Sequence, residues 1–148
     1  IMKKILFILI FLTSCGYQPL YSNKKSADFT FKDIELVGDL KINRQIVTTL
    51  NFKNNTENFQ FKKIILKNNK QVIETSKNSK GQADSYKMIL SIDLIIEDKN
   101  NIINEKFFSE TFSYKNLENR FDLSQYEKEI EKNLITKITE QMIVHLNL

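Results

Sequence analysis

The chain has 148 residues, with 22 Lys and Arg against 18 Asp and Glu and a formal net charge of +4. Two of the lysines lie in a predicted signal segment, and their removal leaves 20 basic against 18 acidic residues, a balance that argues against a nucleic-acid-binding protein. Arg44 and Arg120 are the only arginines, which is a small supply for bidentate recognition of phosphate or carboxylate.

The first stretch has the three parts of a secretory signal peptide. Two lysines precede the apolar run Ile5 to Leu12, which is too short to span a bilayer. Leu12-Thr13-Ser14 then stands directly before Cys15, an arrangement that resembles the lipobox of bacterial lipoproteins. The resemblance implies that residues 1–14 are removed and that the Cys15 thiol carries a covalent lipid. The alternatives are a plain signal peptide before an accidental cysteine, and a buried amphipathic helix.

Residues 15–28 are predicted to form the lipidated N-terminus and a linker, because they hold the only proline, Pro19, and a polar run without periodicity. The remaining residues, 29–148, have the length of a single domain with one core. Cys15 is the only cysteine, so a disulfide or a thiolate metal site within one chain is excluded.

Phe29 to Val37 predicts the first strand, and its alternation slips near Lys32, which suggests a β-bulge there. Gly38-Asp39 is predicted to end this strand and begin a helix, because Asp accepts hydrogen bonds from the free amides of a first turn. The helix follows from apolar residues at four-residue spacing, before Asn54-Asn55 breaks the pattern. These residues are Ile42, Ile46 and Leu50.

Phe59 to Leu66 predicts a second strand. The polar stretch after it has no clear pattern, and only Gln71 to Ser76 favours a further strand segment. Beyond the loop Lys77 to Gly81, residues 85–97 alternate strictly, and Ile102 to Tyr114 returns beside them. This long antiparallel hairpin is predicted to be the backbone of the sheet.

Leu123 to Leu146 predicts a terminal helix, and Ser124 and Glu127 have the spacing of a capping box at its start. Apolar residues recur at every fourth position, as suits a helix lying across a twisted sheet. They are Tyr126, Ile130, Leu134, Ile138, Met142 and Leu146.

Little in the sequence indicates catalysis. His145 is the only histidine, and its place in the last helical turn favours a structural or surface role. Three glutamates alternate with lysines on the terminal helix, a pattern typical of a solvated face and not of a carboxylate dyad. They are Glu127, Glu129 and Glu131. The chain lacks a His or Cys cluster and a phosphate-cradling glycine pattern, so we expect neither an enzyme, nor a metal site, nor a cofactor other than the covalent lipid.

Two stretches resemble the LPS-assembly lipoproteins (LptE). The first is Leu12-Thr13-Ser14-Cys15-Gly16-Tyr17-Gln18-Pro19-Leu20-Tyr21, similar to the start of the mature chain in that family. The second is Gly81-Gln82-Ala83-Asp84-Ser85-Tyr86-Lys87-Met88-Ile89-Leu90, similar to the family's Gly-Gln-Ala strand start. The resemblance implies an α+β fold, a two-layer α/β sandwich with two helices on a mixed sheet of about four strands. The elements predicted from the residues come in the same order.

The resemblance also implies a function. Such a lipoprotein is anchored in the outer membrane, facing the periplasm and the barrel lumen. There it plugs a large β-barrel protein, assists its assembly and helps deliver lipopolysaccharide to the cell surface. As a hypothesis for direct contact with lipopolysaccharide, Lys77 and Lys80 flank the glycine-containing loop and could bind an anionic group. Two other classes are weighed: a lipid-anchored carrier for a lipid or small ligand, and a periplasmic hydrolase, for which the sequence offers no candidate residue.

Overall fold

The computed structural model describes residues 29–99 and 101–146. Two helices pack on a five-stranded mixed sheet. This confirms the predicted α+β sandwich, with five strands where about four were expected. The elements are β1 (Thr30–Val37), α1 (Leu40–Thr49), β2 (Lys53–Asn54), β3 (Phe61–Lys77), β4 (Ala83–Asp98), β5 (Asn101–Lys115) and α2 (Arg120–Leu146). The predicted signal peptide, Cys15 and the linker lie outside the described residues.

The strands lie in the order β2-β1-β3-β4-β5. β1 is parallel to β2 and β3, because α1 carries the chain back across the sheet between them, whereas β3, β4 and β5 form an antiparallel meander. The unexpected strand is β2, which has two residues and follows a turn at Asn51, whose φ is 53°. A strand this short leaves no periodicity in a sequence.

The turn between β1 and α1 forms as predicted. Gly38 has a φ of 97°, a conformation that other residues rarely adopt. Asp39 caps α1, because its Oδ1 accepts hydrogen bonds from the backbone N–H of Lys41 (2.8 Å) and Ile42 (3.4 Å). Asn68 of β3 holds the turn, since its Oδ1 accepts from Asp39 N (3.1 Å) and its Nδ2 donates to Asp39 O (2.8 Å).

The core lies between the helices and one face of the sheet. β4 contributes every second side chain to it, which confirms the strict alternation seen in the sequence. The four-residue rows on both helices also lie in this core, except for Tyr126 of α2, which is 36% exposed. The principal buried residues are Ile42 and Ile46 of α1, Leu90, Ile92 and Leu94 of β4, and Leu134, Ile138 and Met142 of α2.

β1 keeps the predicted slip in alternation. Phe31 and Ile34 both contact the core although they are three residues apart. The neighbouring residues of β3, Phe61 and Ile64, do the same and remain paired with them. The two strands therefore change alternation together, without the one-residue bulge that the slip suggested.

Two predicted boundaries are wrong. The second strand does not end at Leu66, because β3 runs without interruption to Lys77 and includes the segment Gln71 to Ser76 that the sequence favoured as strand. Its partner β4 supplies the ladder hydrogen bonds along this length, so the strand needs no apolar pattern of its own. The terminal helix begins at Arg120 and not at Leu123, since Asn119 Oδ1 accepts from Phe121 N at 2.9 Å. Ser124 is therefore inside the helix, and the predicted capping box does not form.

The face of the sheet opposite the core carries no helix among the described residues. Ile65 and Ile95 are buried at its centre, between charged side chains. One of these charged pairs joins Lys63 Nζ and Glu35 Oε2 at 2.5 Å, and the carboxylate of Glu35 raises the pKa of Lys63. We call this surface, formed by β1, β3, β4 and β5, the open face.

Candidate functional site

The loop between β3 and β4 carries the two lysines predicted to contact an anion. Lys77 is the last residue of β3, and its Nζ lies 3.9 Å from Glu74 Oε2. Lys80 lies in a turn organised by Asn78, whose Oδ1 accepts hydrogen bonds from the backbone N–H of Lys80 (2.9 Å) and Gln82 (3.0 Å). The tip is therefore a hydrogen-bonded turn that holds the Lys80 backbone in place.

A cleft of about 1000 Å³ lies between this loop and the start of α2. Two cationic side chains line it, those of Lys80 and Arg120, and Lys77 does not. Four carboxylates also line the cleft: Glu74, Asp84, Glu118 and Glu127. Because carboxylates outnumber cations two to one, the local field favours a cationic or neutral polar ligand over an anion. Of the two predicted lysines, only Lys80 borders this cleft, and an anion contact at the loop stays a prediction.

Three tyrosines continue the wall of the cleft into the domain. The ring of Tyr114 lies 5.7 Å from that of Tyr86 and 6.0 Å from that of Tyr126, measured between ring centroids. The Tyr114 hydroxyl donates a hydrogen bond to Glu127 Oε1 at 2.6 Å. Burial, and then this bond, raise the pKa of Tyr114, because both disfavour the phenolate. The cluster is a fixed aromatic wall with its one buried hydroxyl satisfied.

The glutamates of α2 are only partly solvated, contrary to the sequence prediction. Glu129 is exposed, but Glu127 binds Tyr114 and Glu131 faces α1 and β3. The Glu131 side chain is 12% exposed and pairs with Lys70 Nζ at 2.5 Å, with Lys41 Nζ at 3.9 Å. Their positions flanking the apolar row of α2 were the signal in the sequence that should have placed both glutamates at the sheet.

His145 has a structural environment. Its Nε2 lies 2.9 Å from Asn104 Oδ1 on β5, and its ring meets Phe108 edge to face with centroids 5.9 Å apart. The histidine thereby joins the end of α2 to β5. This arrangement agrees with the structural role expected from its position.

Metal and membrane features are limited within the described part of the chain. Over residues 29–99 and 101–146, no three His, Cys, Asp or Glu side chains come together as ligands of a metal ion. Of the two helices in these ranges, neither is long and apolar enough to cross a membrane.

Comparison with known proteins gives matches by structure alone. The sequence matches no family model and no curated protein. The solution structure of lipoprotein B from Nitrosomonas europaea matches with a TM-score of 0.55 and 13% identity, over 78% of this chain and 79% of that one. The crystal structure of a minor lipoprotein from Acinetobacter baumannii matches with a TM-score of 0.55 and 17% identity, over 78% of this chain and 88% of that one. At these identities the likeness establishes a shared fold, and the chain has the fold of these small bacterial lipoproteins.

Proposed function

We propose that this protein is an outer-membrane lipoprotein that plugs the lipopolysaccharide-translocating β-barrel, assists its assembly and helps deliver lipopolysaccharide to the cell surface. The observation that carries the proposal is the fold, which is shared over 78% of the chain with bacterial lipoproteins. The lipobox before Cys15 supports the same assignment, because it supplies a lipid anchor to a domain whose described helices do not span a membrane.

The open face is the surface that we assign to the barrel. The lumen of a transmembrane barrel is polar, so a plug needs a polar surface that no other element of the domain covers. Opposite charges face each other on neighbouring strands there, with Lys67 beside Asp93 and Lys63 beside Glu97. A broad surface of fixed charges of both signs suits specific docking in such a lumen better than a purely apolar face would.

The carrier alternative is less well supported. A carrier needs an apolar cavity between the helices and the sheet, whereas side chains fill that space here. Leu90, Ile138 and Met142 meet there, and each is completely buried. The described cleft of about 1000 Å³ lies at the surface and is lined largely by polar and charged side chains, which suits an acyl chain poorly.

The proposal is tested by purifying the full-length protein, lipidated at Cys15, in mild detergent and identifying by mass spectrometry what stays bound at high salt. We expect one large β-barrel protein in a one-to-one ratio, and Cys15→Ala should lower its recovery by removing the anchor. Recovery of the lipoprotein alone would refute the plug function. Lipid that copurifies with such a partnerless protein would favour the carrier.

The contact surface is tested with a matched pair of substitutions. Ser91 lies at the centre of the open face on β4, and Thr136 is exposed on α2. We expect Ser91→Arg to reduce recovery of the barrel because a long cation would hold the two surfaces apart, and Thr136→Arg to reduce it much less. Equal recovery for the two variants would exclude the open face as the contact.

The hypothesis for the β3–β4 loop has its own experiment. Reversal of both charges with Lys77→Glu and Lys80→Glu should weaken lipopolysaccharide binding and lower its dependence on salt. The comparison variant carries Lys128→Glu and Lys132→Glu on the exposed side of α2. Unchanged binding and unchanged salt dependence in the loop variant would show that the loop does not contact lipopolysaccharide.

A further inference from the structure

The outer edge of β5 is open to another strand. β5 is the last strand in the sheet order, so along its outer side no described strand pairs with its backbone. A free edge presents unpaired N–H and C=O groups that readily accept a further strand. The sequence at this edge is rich in aromatic residues, and Phe107 is 61% exposed. β5 therefore combines an unpaired backbone with exposed apolar surface.

The other free edges among the described strands are shorter, because β2 has only two residues and β3 is free only beyond Lys67. β3 loses its neighbour β1 after Lys67, because the β1–α1 turn is held there on Asn68. Six residues later the pairing of β3 with β4 becomes irregular, between Glu74 and Ser76. A bulge of this kind discourages the addition of a strand. β5 also has a register shift, between Ile102 and Asn104, but its pairing with β4 is regular from Asn104 to Lys115. β5 therefore offers the longest regular free edge among the described strands.

Alternate residues of β5 face α2. Phe108 lies in the core, Asn104 contacts His145, and the carboxylate of Glu110 accepts a hydrogen bond from Gln141 Nε2 at 2.6 Å. By the two-residue period of a strand, Lys106 lies on the same face. The edge thus carries a cation and an anion four residues apart, one on each side of Phe108.

We infer that β5 pairs antiparallel with β5 of a second copy of this chain, with Phe108 opposite Phe108 across a two-fold axis. An interface of this kind is made by the same surface on both copies. Residues directly opposite each other must lie on the same face of the sheet. A change of register must therefore shift each residue's partner by an even number of positions. In this register Lys106 of each copy lies opposite Glu110 of the other.

The charges select this register over its neighbours. If the two-fold axis passes through Phe107 or Ser109 instead, Lys106 and Glu110 both lie opposite uncharged side chains. A shift of the axis by two residues places Lys106 opposite Lys106, or Glu110 opposite Glu110. Opposite charges across two strands are stabilising and like charges are destabilising, so the charges that deter other strands fit a second copy of this chain.

The groove beside the edge fits the same partner. A groove of about 860 Å³ lies between β5 and α2, and Val144, which is 56% exposed, lines it. Because α2 lies against β5 in each copy, the pairing brings the two α2 helices side by side over this groove. On the open face each Phe107 lies diagonal to the other across the axis, within reach of an aromatic side chain. The inference goes beyond the proposed function, since it requires no barrel.

Sedimentation equilibrium tests this pairing on the full-length chain in density-matched detergent, with micelles in excess so that two anchors do not share one by chance. We expect the unmodified protein to form a concentration-dependent dimer. Lys106→Glu and Glu110→Lys should each weaken dimerisation by about tenfold or more, because two attractive pairs become repulsive. The double variant should recover the dimer, because the pairs form again with their signs exchanged.

Glu74→Lys is the matched control, because it reverses a charge on the free edge of β3 and should leave the dimer unchanged. A protein that stays monomeric at all concentrations would overturn the inference. A double variant as weak as the single variants would overturn it too, since those losses would then come from the fold and not from the pairing. A dimer that Glu74→Lys disrupts would place the interface on β3 instead.

Discussion

Replacement of Gly38 by alanine tests how tightly the β1–α1 turn is built. At its φ of 97°, any residue with a Cβ pays about 1–2 kcal/mol. A Cβ at this position would also lie 2.4 Å from the backbone oxygen of Asn68, so the turn must move. That movement breaks the two hydrogen bonds between Asp39 and Asn68, which contribute about 1 kcal/mol each. We expect the free energy of unfolding to fall by about 3–4 kcal/mol in total.

Gly81→Ala is the control. Gly81 also has a positive φ, of 77°, but a Cβ there would have no atom within 4 Å. This variant should lose about 1–2 kcal/mol, from backbone conformation alone. Both substitutions change the unfolded chain equally, so the difference between them isolates the clash. Urea unfolding followed by circular dichroism measures both losses, and equal losses would refute the reasoning.

Three further predictions use the same unfolding assay. Asn43 is fully buried and its Nδ2 donates to two backbone carbonyls, so Asn43→Ala should cost about 1–3 kcal/mol; a loss near zero would contradict this. The raised pKa of Tyr114 means that the folded protein holds the phenolic proton more tightly than the unfolded chain, so stability should fall as the pH rises above 10. Tyr114→Phe should show a smaller fall. A pH profile identical to that of the unmodified protein would show that Tyr114 does not cause the loss of stability. Glu131→Gln weakens the bond to Lys70 and should cost about 1–3 kcal/mol at neutral pH, less at high salt, whereas an undiminished cost at high salt would exclude an ionic origin.

The parts of the fold that the sequence predicted are those in which one strong local rule acts. The alternation of β4 follows from one face meeting the core, and the start of α1 follows from the Asp39 cap beside a glycine. The rows of apolar residues at four-residue spacing on α1 and α2 follow from the packing of both helices on the same sheet. In each case the local pattern and the tertiary contact agree, which is what makes a prediction from sequence succeed.

The missed parts depend on partners far away in the chain. The second half of β3 is exposed on both faces, so its strand state comes from pairing with β4 and leaves no apolar period. The cap of α2 was also missed, because the chain uses Asn119 where the capping-box pattern predicted Ser124. The partners of Glu127 and Glu131 lie on β5 and β3, and the spacing of residues within α2 does not identify them.

The mixed sheet also sets an order of assembly. Lys77 pairs with Ala83 and Asp98 with Asn101, so the β3–β4–β5 meander closes through short turns. Phe31 instead pairs with Phe61, which requires an entire helical crossover to be in place first. Short loops close at lower entropic cost, so we expect the meander to form first and β1 to dock on it afterwards. β1, the first of the described strands to be synthesised, then joins the sheet only after the meander, together with or before β2, which pairs with β1 alone. Until β3 is formed, the apolar side chains of β1 need protection from other chains.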